Sequence, residues 1–90
     1  MKNQALRLID KLRKELIKQQ IIKGYEVHPL IHPYTGEIVH ESATIFYKTS
    51  DGISGIIVFN DVENVKEIKK TMKKYAKWKK AGFPNEFHKY

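Results

Sequence analysis

The apolar residues of this 90-residue chain repeat with a helical period at both ends and a strand period in the middle. That double switch of period is what most limits the fold. Ala5, Leu8, Ile9, Leu12 and Leu16 share one face at three- and four-residue spacing, which predicts a first helix from about Asn3 to Ile22. Gly24 supplies its stop. Near the other end Val65, Ile68, Met72, Tyr75 and Ala76 form a second stripe. Asn60 or Asp61 is placed to cap that helix, Glu63 and Glu67 suit the positive end of its dipole, and Gly82 ends it.

Between the helices the sequence alternates. Tyr25, Val27, Pro29 and Ile31 fall on one face of a first strand, and Glu26, His28, Leu30 and His32 on the other. Pro29 and Pro33 mark that strand as an edge, irregular after Val27. Pro33 to Gly36 reads as a turn. Glu37 to Lys48 is a long second strand rich in β-branched and aromatic residues, and Thr49 to Gly52 is the strongest hairpin signal in the chain. Ile53 to Phe59 is the third strand, with Gly55 a bulge or a point of close approach.

The expected fold is therefore α+β. It is a single small domain of α-β-β-β-α order, residues 1–82, with two helices packed on one face of a three-stranded antiparallel sheet. Residues 83–90 follow as a short aromatic C-terminal tail. The second and third strands are apolar on both faces. Ile38, Thr44, Phe46, Ile57 and Phe59 are expected on one side, with Val39, Ala43, Ile45, Tyr47, Ile56 and Val58 on the other. Two helices cover only one face, so Val39, Ile45, Tyr47, Ile56 and Val58 are the expected interface.

Charge follows the same division. Residues 1–24 hold seven cations against Asp10 and Glu15, and residues 61–90 hold nine lysines against Asp61, Glu63, Glu67 and Glu86. Residues 25–60 hold only Lys48 against Glu26, Glu37, Glu41 and Asp51. The net +7 thus belongs to the helices, and fields of that sign attract polyanions. The absence of cysteine excludes disulfides and thiolate metal sites. No apolar run approaches a membrane span, and the charged N-terminus is unlike a signal peptide, so a cytoplasmic location is expected.

Lys66, Lys69, Lys70, Lys73, Lys77 and Lys80 cluster on one side of the second helix and extend roughly 20 Å along its axis. A ridge of that length spans several phosphates. Arg7, Lys11, Lys14 and Lys18 form a matching stripe on the first helix. Tyr75 and Trp78 are the aromatic candidates for base stacking, but their wheel positions place them at the core edge, beside the Phe83, Phe87 and Tyr90 tail. His28, His32, Glu37 and Glu41 share a face if His32 lies opposite Glu37, a weak candidate for a divalent-metal site. Two cross-strand His–Glu pairs account for the same residues without metal, so no cofactor is expected. Catalytic signatures are missing: there is no Gly-rich phosphate loop, no HExxH and no GxSxG, and the Glu67-Ile68-Lys69 triplet lies on a helix. An enzyme is not expected.

Across about the first 80 residues the α-β-β-β-α order resembles the double-stranded-RNA-binding domain. That resemblance implies contacts to RNA from the first helix, from a first hairpin loop at Pro33 to Gly36, and from a basic cluster opening the second helix. Asp61, Val62, Glu63 and Asn64 stand where that cluster belongs. The order is also similar to the small toxin ribonucleases of the HicA type, which implies a role for His28 or His32, although the Gly-Ser-His-His run of that family is missing. The leading expectation is a small basic module that binds RNA or DNA through phosphate contacts from the two lysine ridges. The alternative is a protein-interaction or inhibitory protein of phage or mobile-element type. It would act through the apolar sheet face as a homodimer, or engage an acidic protein partner.

Overall fold

The computed structural model describes the backbone of residues 2–90 and the side chains of residues 4–90. Its elements run in the expected order: α1 (Lys2–Lys18), β1 (Ile22–Ile31), β2 (Ile38–Lys48), β3 (Ser54–Phe59), α2 (Val65–Lys80) and a terminal 3₁₀ turn (Phe87–Lys89). The three strands form one antiparallel sheet in the order β1-β2-β3. Ala5, Ile9, Leu12 and Leu16 of α1 and Ile68, Tyr75 and Trp78 of α2 are buried in one cluster with Ala43, Ile45, Tyr47, Ile57 and Phe59 of the sheet. Both helices therefore cover the same sheet face.

α1 stops four residues before the sequence pattern suggested, and Gly24 is not its stop. Gln20 adopts φ 61°, its N–H donates to Ile17 O, and the Ile21 N–H donates to Leu16 O. This is a Schellman ending built on glutamine, with Ile21 and Leu16 both buried as its apolar contact. Gly24 lies within β1 instead, opposite Phe46. α2 also starts later than expected. The Asp61 carboxylate accepts from Glu63 N–H, and Val62 is buried while its N–H donates to Glu41 O. The chain is thereby held against β2 until Asn64, whose side chain accepts from Glu67 N–H as the actual N-cap.

Strand register corrects two further expectations. The Thr49 to Ile53 turn, closed by Thr49 N–H to Ile53 O and by Gly52 at φ 87°, sets Ile45 opposite Ile57 and Tyr47 opposite Gly55. Ile45 and Tyr47 therefore belong to the core with Ile57 and Phe59. Phe46, Ile56 and Val58 lie on the open face. The sequence reading had the parity of β2 and β3 out of step by one, which exchanges a strand's faces. In the other hairpin His32 does bond Glu37, but Leu30 pairs with His40 and Ile31 with Ile38, leaving Val39 as an extra residue. Beyond that bulge Pro29, not His28, stands opposite Glu41, and His28 pairs with Ser42.

The aromatic tail docks on the body. Gly82 and Phe83 adopt φ 82° and 55°, and Phe83 N–H donates back to Trp78 O, which turns the chain toward the sheet. Trp78 is wholly buried and meets Phe83 and Phe87 edge-on at 4.7 and 5.4 Å between ring centres. Its indole N–H donates to Asn85 O (2.7 Å), and the Phe87 N–H donates to the Tyr47 hydroxyl (2.8 Å). Gly55 makes room for this: a Cβ there would lie 2.5 Å from that hydroxyl. Gly55→Ala is expected to destabilise the fold by about 1–3 kcal/mol, the usual range for overpacking. Urea denaturation followed by Trp78 fluorescence checks it, with Gly24→Ala, which meets Phe46 at an ordinary 3.4 Å, as the milder control.

Candidate nucleic-acid interface

The side of each helix turned from the sheet is where the cations stand. On α2 the core takes Ile68, Tyr75 and Trp78, so Lys66, Lys69, Lys70, Lys73, Lys77 and Lys80 are all exposed. On α1 the core takes Ala5, Ile9, Leu12 and Leu16, and Arg7, Lys11, Lys14 and Lys18 are exposed. The two helices lie side by side. Lys79 of α2 donates to the Glu15 carboxylate of α1, and that hydrogen bond, with the lysine charge, holds Glu15 below its ordinary pKa. Between the helices runs a groove of about 520 Å³ lined by Lys11, Leu12, Glu15, Met72, Tyr75, Ala76, Lys79 and Lys80. The sequence-predicted ridges reach this groove only at their edges, Lys11 on one bank and Lys80 on the other, while Lys70, Lys73 and Lys77 line a separate hollow beside Tyr90.

Few of these cations are neutralised internally. Asp10 takes Lys14 at 3.4 Å and Arg13 at 3.7 Å, two surface ion pairs, and Arg7 and Lys11 have no ion pair among the described residues. Exposed pairs of this kind hold their partners weakly, so Lys14 remains available to a stronger anion. On the far side of the α2 ridge, Lys74 donates to His88 O and lies over the Phe87 ring at 4.9 Å, so it serves the tail instead.

Tyr75 and Trp78 are buried beside the tail, as their wheel positions suggest, and offer no ring face for base stacking. Burial raises the Tyr75 hydroxyl to about 12, and that hydroxyl has no hydrogen-bond partner among the described residues. A phenol whose folded pKa exceeds its unfolded value near 10 stabilises the fold fully below pH 10. That contribution is lost as pH rises from 10 toward 12, because the unfolded chain ionises first. Tyr75→Phe is expected to leave stability at pH 7 unchanged or slightly raised, since an unpaired buried hydroxyl disappears. It should also flatten the fall in melting temperature between pH 10 and 12, measured against the parent protein.

The His/Glu hairpin does not assemble a metal site. His32 Nδ1 accepts from the backbone N–H groups of Tyr34 and Thr35 at 3.2 and 3.3 Å, shaping the turn. His28 Nε2 lies 3.3 Å from Glu26, its neighbour on the same strand face. The bulge at Val39 separates His28 from Glu41, and no group of three metal-ligating side chains forms among the described residues.

What sequence reasoning missed lies on the β1–β2 hairpin. Every residue from Glu26 to His40 is exposed, so the hairpin projects as an arm from a molecule measuring 46 × 23 × 22 Å. Ten large apolar residues stand exposed among the described residues, and eight of them fall on this arm or the open sheet face. Tyr34 at its tip is 92% exposed. The run of apolar residues on both strand faces after Val27 was the available signal. No helix among the described residues is long and apolar enough to cross a membrane.

Comparison of the chain with protein-family models, with curated protein sequences and with solved structures gives no match. The likeness to the double-stranded-RNA-binding domain is thus one of element order. At the start of α2, where that family is basic, Asp61, Glu63 and Glu67 surround the Asn64 cap.

Proposed function

We propose that the protein is a nucleic-acid-binding module that holds the phosphate backbone through the outer surface of its two-helix layer. The observation that carries this reading is that two exposed lysine ridges lie on adjacent helices and approach each other at Lys11 and Lys80, 69 residues apart in sequence. Two separate lysine faces are ordinary solvated surface. A pair brought together with the negative segment on the other side of the molecule concentrates the field toward one ligand. Contacts of this kind fall on phosphates and carry little sequence preference.

Binding to labelled RNA and DNA should weaken with salt, each neutralised phosphate adding about 0.7–0.9 to the log–log slope. Lys70→Glu combined with Lys73→Glu is expected to lower affinity at least tenfold near 100 mM salt and to flatten the slope by about 2. Both side chains are exposed, so circular dichroism and melting temperature should be unchanged. Retained affinity in that variant would remove the reading.

A second reading rests on different residues. The open sheet face and the arm expose Ile56 (50%), Val58 (42%), Leu30 and Val39 with no lysine between Gly24 and Tyr47. An apolar surface of that extent suits a protein partner or a second copy of the chain. If copies associate through it, Ile56→Glu with Leu30→Glu should shift sedimentation from dimer to monomer without unfolding, whereas Ile17→Glu on α1 should not.

A further inference from the structure

The α1–α2 groove has a feature that phosphate binding alone does not require. Its banks are cationic, but its floor is apolar, made by Leu12, Met72, Tyr75 and Ala76. Lys79 is matched by Glu15 within it, which leaves Lys11 and Lys80 as the bank cations without an ion pair among the described residues. At about 520 Å³ the groove falls within the roughly 300–1,000 Å³ of small-molecule and cofactor clefts. A nucleic-acid duplex cannot lay its base faces on such a floor, because they are stacked inside and only phosphates, sugars and base edges reach the surface. It is also far wider than the roughly 8–10 Å that separates the axes of packed helices.

We infer that the groove takes the bases of a single strand, so the protein prefers single-stranded nucleic acid over duplex. This rests on the nucleic-acid reading above and adds the class of substrate to it. In a single strand the base faces are free to lie against Met72 and Ala76, the accessible part of the floor, while the phosphates on either side reach Lys11 and Lys80. Leu12 and Tyr75 are held by the core, so the floor is preorganised, while Ala76 is exposed and keeps the groove open.

The test is fluorescence anisotropy at about 100 mM salt with three labelled DNA probes of equal length, roughly 12 nucleotides: a mixed-sequence single strand, the same strand annealed to its complement, and an abasic strand. The single strand is expected to bind at least tenfold tighter than the abasic strand and the duplex, the effect of one or more bases settling on the floor. Ala76→Gln, which fills the groove without changing charge, should remove that advantage and leave duplex and abasic affinities as they were. Duplex binding as tight as the single strand, or abasic binding equal to it, would overturn the inference while leaving the phosphate-binding reading intact. Failure of all three probes to bind, in DNA and in the matching RNA, would remove both.

Discussion

The orientation of the basic surface depends on the aromatic contact between Tyr47 and Trp78. Their rings meet edge-on at 4.9 Å beneath α2, and Trp78 has no exposed surface. A buried indole of that size fixes the rotation of its helix about the helix axis. Once Trp78, Tyr75 and Ile68 face the sheet, the 3.6-residue period leaves Lys66, Lys70, Lys73 and Lys77 on the opposite side. Gly55 is part of the same arrangement, since only a residue without Cβ lets the Tyr47 hydroxyl reach the Phe87 backbone over β3. Phe83 in the left-handed region carries a backbone penalty on the order of 1–2 kcal/mol, offset by its packing on Trp78. The tail thus covers one end of the core, with Phe83 and Phe87 against Trp78.

Packing two helices that both carry lysine stripes sets like charge against like charge. Several features limit the repulsion. Glu15 and Lys79 join the helices at their seam, and Asp10 draws Lys14 and Arg13 along α1. Arg13 is also held over the Tyr25 ring at 3.9 Å, which ties α1 to the first strand. The unpaired cations stand on the rim and the outer faces, where water and salt screen them. The cost of gathering them is therefore small in the free protein, and a polyanion recovers it.

Element order, the apolar stripes of both helices, the Thr49 to Gly52 hairpin and the burial of Trp78 beside the tail were all legible, because each rests on local period or turn chemistry. The lysine ridges were legible for the same reason, since exposure follows from the stripes. Features decided by long-range geometry were not. Gln20 in a left-handed cap depends on Ile21 finding Leu16, and nothing in Gln19-Gln20 signals it. The single extra residue at Val39 moved Glu41 from His28 to Pro29 and dissolved the His/Glu constellation. Ile45 and Ile56 look equivalent in sequence, both isoleucines in apolar strands, and only the turn register assigns one to the core and the other to the open face.

The result is a molecule with two unlike sides. The helix side is cationic and grooved, and the sheet side with its arm is apolar and carries Glu26 and Glu37, with no lysine between Gly24 and Tyr47. Under the proposed reading a nucleic acid would approach the first side and leave the arm and open sheet face uncovered, so the two proposed surfaces share no residues. A second copy joined through the sheet side would place two basic layers facing outward on opposite flanks, and two weak phosphate grips on one strand would then act with the gain in effective concentration that linkage provides.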